Sequence, residues 1–279
     1  MNFQCFVNKL IMNFHFAMLV KSKEASGAGI LIAVEGLDGS GKSTQAHLLV
    51  QWLRALGAPV HHTEWNSSPM VKSATKEGKK NQRLVPETFH YIHAADFADR
   101  WERQIEPLLA VGGVVICDRY KFTAMARDGA RGIDQDRIEM TYSFARDPDL
   151  TLYFEVDPEV SLSRIMKGRP NLKYYEAGMD MGWTEDPFES YKKLQGRMRE
   201  IYGSISESGR MIKINSNSGI AEIQKNVRKI IADSIDLSNV TLIEADDRRA
   251  EIHHIDDGAR MRYISPEGYT VLRHGVDED

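Results

Sequence analysis

An α/β fold built around a parallel sheet is predicted by three features of this sequence. Short apolar runs alternate with helical stretches between residues 29 and 235. The runs are continuously apolar, as strands covered on both faces are. A glycine-rich turn joins the first run to the first helix. Strand and helix in alternation give a parallel sheet flanked by helices, with ligands at the carboxyl ends of its strands. The chain has 279 residues, 42% hydrophobic and 27% charged, which accommodates one such domain with an extension at each end.

The turn reads Gly36-Leu37-Asp38-Gly39-Ser40-Gly41-Lys42-Ser43-Thr44 and fits the pattern G-x-x-x-x-G-K-[ST]. Four defined positions match by accident in roughly one random chain in a hundred of this length, and the strand before and helix after lower those odds. Glycines let the backbone curl so that successive N–H groups face phosphate oxygens, and the following helix adds its positive end. Lys42 reaches the terminal phosphates as a point charge, and the Ser43 hydroxyl is a ligand for Mg²⁺. These residues predict the P-loop NTPase fold, with a five-stranded parallel sheet and a site for ATP.

The elements follow in order. Ile30 to Val34 is the first buried strand. Leu48, Leu49, Trp52, Leu53 and Leu56 fall at helical spacing, and Gly57 stands where that helix stops. Pro59 to Trp65 is a short second strand, and the polar residues 66–85 form a loop with a short helix from Pro69 to Thr75. Pro86 and Glu87 open a long helix to about Ala110, on which Phe89, His93, Phe97 and Arg100 recur on one face. Gly112-Gly113 ends it. Val114 to Cys117 is a third strand, delivering Asp118-Arg119-Tyr120. Residues 121–133 are assigned to no element. A helix covers Asp134 to about Ala145, and Leu150 to Val156 is the fourth strand. Asp157-Pro158 caps the helix carrying Leu162 and Ile165. Residues 168–186, rich in glycine, tyrosine and charge, interrupt the alternation. Helix resumes from Pro187 to about Ser206, Met211 to Ile214 is the fifth strand, and Gly219 to Ile235 is the last helix.

Outside this domain, residues 1–28 read as a flexible extension ending in a Ser/Gly/Ala linker. Residues 236–279 read as an acidic appendage, weakly structured or carrying a small β element from about Thr241 to Ile264. The apolar stretch 10–20 is too short for a membrane span and is interrupted by Asn13 and His15. A signal peptide is its alternative reading, but a site that uses ATP belongs in the cytoplasm. The net charge of −4 argues against a nucleic-acid footprint. Two cysteines, Cys5 and Cys117, supply neither a disulfide framework nor zinc-type spacing.

Asp118 ends a strand beside the one that feeds the glycine turn. A carboxylate there holds the water shell of Mg²⁺, and Arg119 can clamp an anionic substrate. Phosphoryl transfer needs further positive charge at the moving group. The turn carries no arginine, so the interrupting segment, where Arg164, Lys167, Arg169 and Lys173 gather, is the candidate for a mobile basic lid.

Together, Asp38 within GLDGSGKST, Asp118-Arg119-Tyr120 and the stretch Ala126 to Gly132 (ARDGARG) resemble the thymidylate kinases. The resemblance covers about residues 29–235. It implies transfer of the ATP γ-phosphate to a deoxynucleoside monophosphate, dTMP giving dTDP, with Mg²⁺ as the metal, and a homodimer. It also implies that Asp38 bonds the acceptor's sugar and Arg119 holds the acceptor's phosphate. Three positions depart from the family. Thr63-Glu64-Trp65-Asn66 stands where the family reads Thr-Arg-Glu-Pro. His93 and Phe97 occupy the places of a base-stacking phenylalanine and a base-bonding arginine. Ala126-Arg127-Asp128 replaces Ala-Tyr-Gln. His93, Phe97, Arg127 and Asp128 are therefore the candidate base-side residues, while the Phe89/His93/Phe97 stripe reads equally as ordinary core. Two rival functions stand beside this one. A deoxynucleoside kinase would need Glu35 or Glu64 as base toward a sugar hydroxyl, and a regulatory module would bind nucleotide without turnover.

Overall fold

The computed structural model describes residues 29–235, 261–264 and 270–273. Five parallel strands form the sheet of the larger unit: β1 Ile30–Gly36, β2 Val60–Glu64, β3 Val114–Asp118, β4 Leu150–Glu155 and β5 Ile212–Asn215, in the order β2-β3-β1-β4-β5. Residues along β1 alternate between two cores. Leu31 and Ala33 face a layer with Phe97, Ile105, Tyr120 and Tyr202. Ile32 and Val34 face Leu49, Leu53, Val227 and Ile231 on the other side. Both faces are covered, so a strand of period 2 shows no period in its polarity.

The second layer holds α1 (Lys42–Ala55) and α9 (Ile220–Ser234). The first layer is built from the other long helices. Residues 86–110 form one helical rod: α3 (Pro86–Arg100), a π-helical stretch (Trp101–Ile105) and α4 (Glu106–Ala110). Before it lies α2 (Lys72–Lys80), nearer the C-terminal side of its loop than the Pro69–Thr75 expected; its only buried residue is Thr75, so no apolar stripe marks its bounds. After β3 comes α5 (Lys121–Gly129), a helix not expected from the sequence. All of Lys121 to Asp128 is buried, including the polar Lys121, Thr123, Arg127 and Asp128, so burial here does not follow residue polarity. Then follow α6 (Gln135–Thr141), shorter than expected, α7 (Pro158–Gly168) and α8 (Pro187–Glu207). Asp134, Asp157 and Asp186 cap α6, α7 and α8 by accepting from Arg137, Glu159 and Phe188 backbone N–H groups.

The interrupting segment is ordered and fastened rather than loose. Asp180 of a short 3₁₀ turn pairs with Arg131, 2.8 Å from its Nε, and both side chains are almost wholly enclosed. Arg131 Nη2 also donates to Tyr175 O at 2.7 Å, and Arg169 pairs with Glu176. The smaller unit contains an antiparallel hairpin, β6 (Met261–Ile264) with β7 (Thr270–Arg273), Met261 opposite Arg273. The β element expected from Thr241 thus has strands at 261–264 and 270–273; residues 241–260 and the extension 1–28 lie outside the described residues.

Removing one partner of an enclosed ion pair strands the other charge. Asp180→Ala is therefore expected to lower stability by about 3 kcal/mol in chemical denaturation. The first cuts in limited proteolysis should then fall within residues 169–186.

Candidate active site

The glycine turn sits at the carboxyl end of β1 and opens directly into α1. Gly36 (φ 148°), Gly39 (φ 75°) and Gly41 (φ 88°) carry the curl. A Cβ on Gly36 would lie 2.7 Å from Phe154 O, and one on Gly39 2.7 Å from Ser161 O, so both positions demand glycine. Gly41 caps α1 without a side-chain acceptor, and the first turn has no acidic residue, which leaves its N–H groups for an anion. Ser43 and Thr44 in that turn are exposed; Ser40 and Lys42 are buried. Burial lowers the pKa of Lys42, and Arg119 adds to the fall against the pull of Asp118, Asp38 and Glu35.

The parallel register sets Val34 of β1 opposite Asp118 of β3, so the strand tip stands beside the turn as expected. Arg119 follows at φ 73°, a left-handed conformation that costs a non-glycine residue about 1–2 kcal/mol. Its N–H donates to Val34 O at 2.9 Å. Its guanidinium pairs with Asp38 and donates to Gly36 O at 3.3 Å. Lys42 Nζ lies 3.8 Å from the same Asp38 carboxylate. Burial raises the Asp38 carboxyl, but Arg119 and Lys42 outweigh it and hold it below the usual range. Asp38, Lys42 and Arg119 thus share one cluster of charge. Asp118 is buried, and its Oδ1 has no hydrogen-bond partner. A buried carboxylate oxygen with nothing to accept from suits a cation or its water shell. Among the described residues, no three His, Cys, Asp or Glu side chains cluster as a metal site.

Arg164 lies on α7, not in the interrupting segment, and donates to Gly39 O at 3.4 Å and Ser216 O at 2.7 Å. It ties the turn to the β5–α9 connection, where Gln45 Nε2 also donates to Ile220 O. Nothing in the sequence pattern pointed to Ser216. Arg169, beside Glu176, is close enough to Asp38 to help lower its pKa. Lys167 and Lys173 are exposed.

On the acceptor side, Arg127 lies over two rings, 5.3 Å from the centre of Trp65 and 4.8 Å from that of Phe89. It forms a two-bond fork with Asp128, which also meets His90 Nδ1 at 2.8 Å. His93 Nδ1 donates to Phe89 O at 2.6 Å. Burial, with Arg127 and Lys79 nearby, holds His93 well below its ordinary pKa, so the ring is neutral and Nε2 is an acceptor. Phe97 is a correction to the base-side set. It is wholly enclosed among Trp65, Tyr120, Tyr142 and Phe144, and for this residue the core reading holds. Glu35 is likewise fully buried, which removes it as a base toward a sugar hydroxyl.

A curled anion-binding backbone, a buried lysine and an arginine on the neighbouring strand tip make a cationic cradle suited to moving a phosphoryl group. The fold and site define a P-loop phosphotransferase. The family model for thymidylate kinase matches residues 34–227. The chain is 46% identical over 211 residues to "Probable thymidylate kinase 2" of Saccharolobus solfataricus, covering 75% of this chain and 99% of that protein. It is 36% identical over 216 residues to "Thymidylate kinase" of Ruegeria pomeroyi, covering 74% and 96%. A "Probable thymidylate kinase" of Thermococcus gammatolerans is 30% identical over 217 residues, with 74% and 98% covered. The chain belongs to the thymidylate kinase family, whose phosphate donor is ATP. No helix among the described residues is long and apolar enough to cross a membrane.

Gly39→Ala would force a side chain into the left-handed region and against the α7 backbone. It is expected to weaken ATP binding at least about tenfold, read by titration calorimetry, with the far-ultraviolet circular dichroism unchanged.

Proposed function

We propose that this enzyme transfers the γ-phosphate of ATP to dTMP, giving dTDP and ADP. The observation that carries the reading is Arg119, held by its backbone against Asp38 and beside Lys42. An acceptor phosphate bound by Arg119 meets the donor's terminal phosphate over Lys42. An oxygen of the acceptor phosphate attacks the γ-phosphorus, and the bond from that phosphorus to the β–γ bridging oxygen breaks, leaving ADP. The attacking oxygen is already anionic, so no general base is needed. The buried state of Glu35 agrees with this and disfavours a hydroxyl acceptor.

Gly36, Gly39, Ser40, Gly41 and Thr44 cradle the donor phosphates through the turn and the first helical residues. Ser43 and Asp118 would hold Mg²⁺, which would supply positive charge to the transferring phosphates. Asp38 bonds the acceptor's sugar. Arg164 and Arg169 bring positive charge to the donor side, where both already lie close to the turn. Neutral His93 offers an acceptor and Arg127 a donor toward a base bearing both an N–H and carbonyl groups. Asp128 keeps Arg127 oriented.

ADP release with ATP and Mg²⁺ should be rapid with dTMP and negligible with thymidine. Turnover on thymidine alone, or ATP binding without turnover on any acceptor, would overturn the proposal. Arg119→Ala should raise the KM for dTMP by about ten- to a hundredfold while ATP affinity stays within about twofold. Equal losses for both substrates would remove the role given to Arg119.

A further inference from the structure

Glu35 is an acidic residue at the last position but one of β1, with its side chain wholly enclosed. The transfer chemistry does not use it. Every donor around it comes from the elements that shape the acceptor side. Its Oε1 accepts from Tyr120 N–H at 2.8 Å and Thr123 N–H at 3.2 Å. Its Oε2 accepts from the Thr123 hydroxyl at 2.5 Å and the Tyr202 hydroxyl at 3.0 Å. Four donors from β3's exit, α5 and α8 converge on one carboxylate.

Arg119 stands between two of these restraints. Its own N–H is held by Val34 O, and the next N–H, that of Tyr120, is held by Glu35. The peptide units on both sides of a left-handed residue are thereby clamped to consecutive positions of β1. The guanidinium has a further link to the same carboxylate. Arg119 Nη1 donates to Thr123 Oγ1 at 3.4 Å, and that hydroxyl donates to Glu35.

We propose that Glu35 is the positioning residue for acceptor binding: it clamps the backbone beyond Arg119 and, through Thr123, aims the Arg119 guanidinium at the acceptor's phosphate. The inference rests on the dTMP kinase reading above. Glu35 touches neither substrate, and each of its hydrogen bonds goes to Tyr120, Thr123 or Tyr202 rather than to the glycine turn. Its larger influence therefore falls on the acceptor through Arg119; toward Lys42 it acts only as a nearby charge. A side chain that merely filled and stabilised the core would change the amount of folded enzyme, which lowers the maximal rate and leaves the KM of both substrates unchanged.

The test is steady-state kinetics on the full chain with ATP and dTMP varied in turn. Glu35→Gln keeps the shape but replaces one carboxylate oxygen with an amide nitrogen, which cannot accept from Thr123 and Tyr202. It should raise the KM for dTMP about tenfold and leave the KM for ATP within about twofold. Thr123→Val, which removes only the linking hydroxyl, should move the dTMP KM in the same direction by less, and it carries the test if Glu35→Gln does not fold. In an Arg119→Ala background, Glu35→Gln should add less than about twofold. An unchanged dTMP KM, equal rises for both substrates, or full additivity with Arg119→Ala would overturn the inference. Failure of the unaltered enzyme to use dTMP would instead overturn the functional reading, and this inference with it.

Discussion

The parallel pairing of β1 with β3 is the constraint on which the rest of the site depends. Once Val34 lies opposite Asp118, the glycine turn and the Asp118-Arg119 pair must emerge at the same height on one edge of the sheet. Nothing flexible sets that distance. It follows from the ladder of backbone hydrogen bonds and from two apolar layers that cover both faces of β1.

On that frame, charge is concentrated rather than balanced. Arg119 and Lys42 both converge on Asp38, whose side chain is more than a third exposed and can be approached by a ligand. Asp38 pairs with both cations directly, while the Asp118 and Glu35 carboxylates act on them from further off. Incoming phosphates therefore meet two cations at the turn before any base is read. The acceptor wall is different in kind. There Arg127 pairs with Asp128 and Arg131 with Asp180, and both guanidinium groups lie over the Phe89 ring.

The donor side was legible in the sequence because its chemistry is local. A contiguous motif encodes the turn, and one strand tip encodes its partner. Asp157 and Pro158 likewise announced their helix. Long-range pairings were not legible. Glu35 meets Tyr202 across 167 positions, and nothing near either residue marks the partner. Helix α5 is only nine residues long and buries its polar side chains along with its apolar ones, so its sequence reads as a polar turn. Phe97 shows the converse difficulty. A ring at helical spacing looks the same in sequence whether it lines a pocket or fills a core, and here three-dimensional enclosure by four other aromatic side chains decided it.

The chain from α7 through the interrupting segment is fastened at two distant points. Arg164 grips the carbonyl of Gly39 at the donor end. Asp180 grips Arg131, whose guanidinium covers Phe89, at the acceptor end. One stretch of chain thus reaches from the donor's turn to the acceptor's wall, held at each end by a guanidinium. Any change of affinity carried along it would be equal in either order of substrate arrival, because linkage between two binding sites is reciprocal.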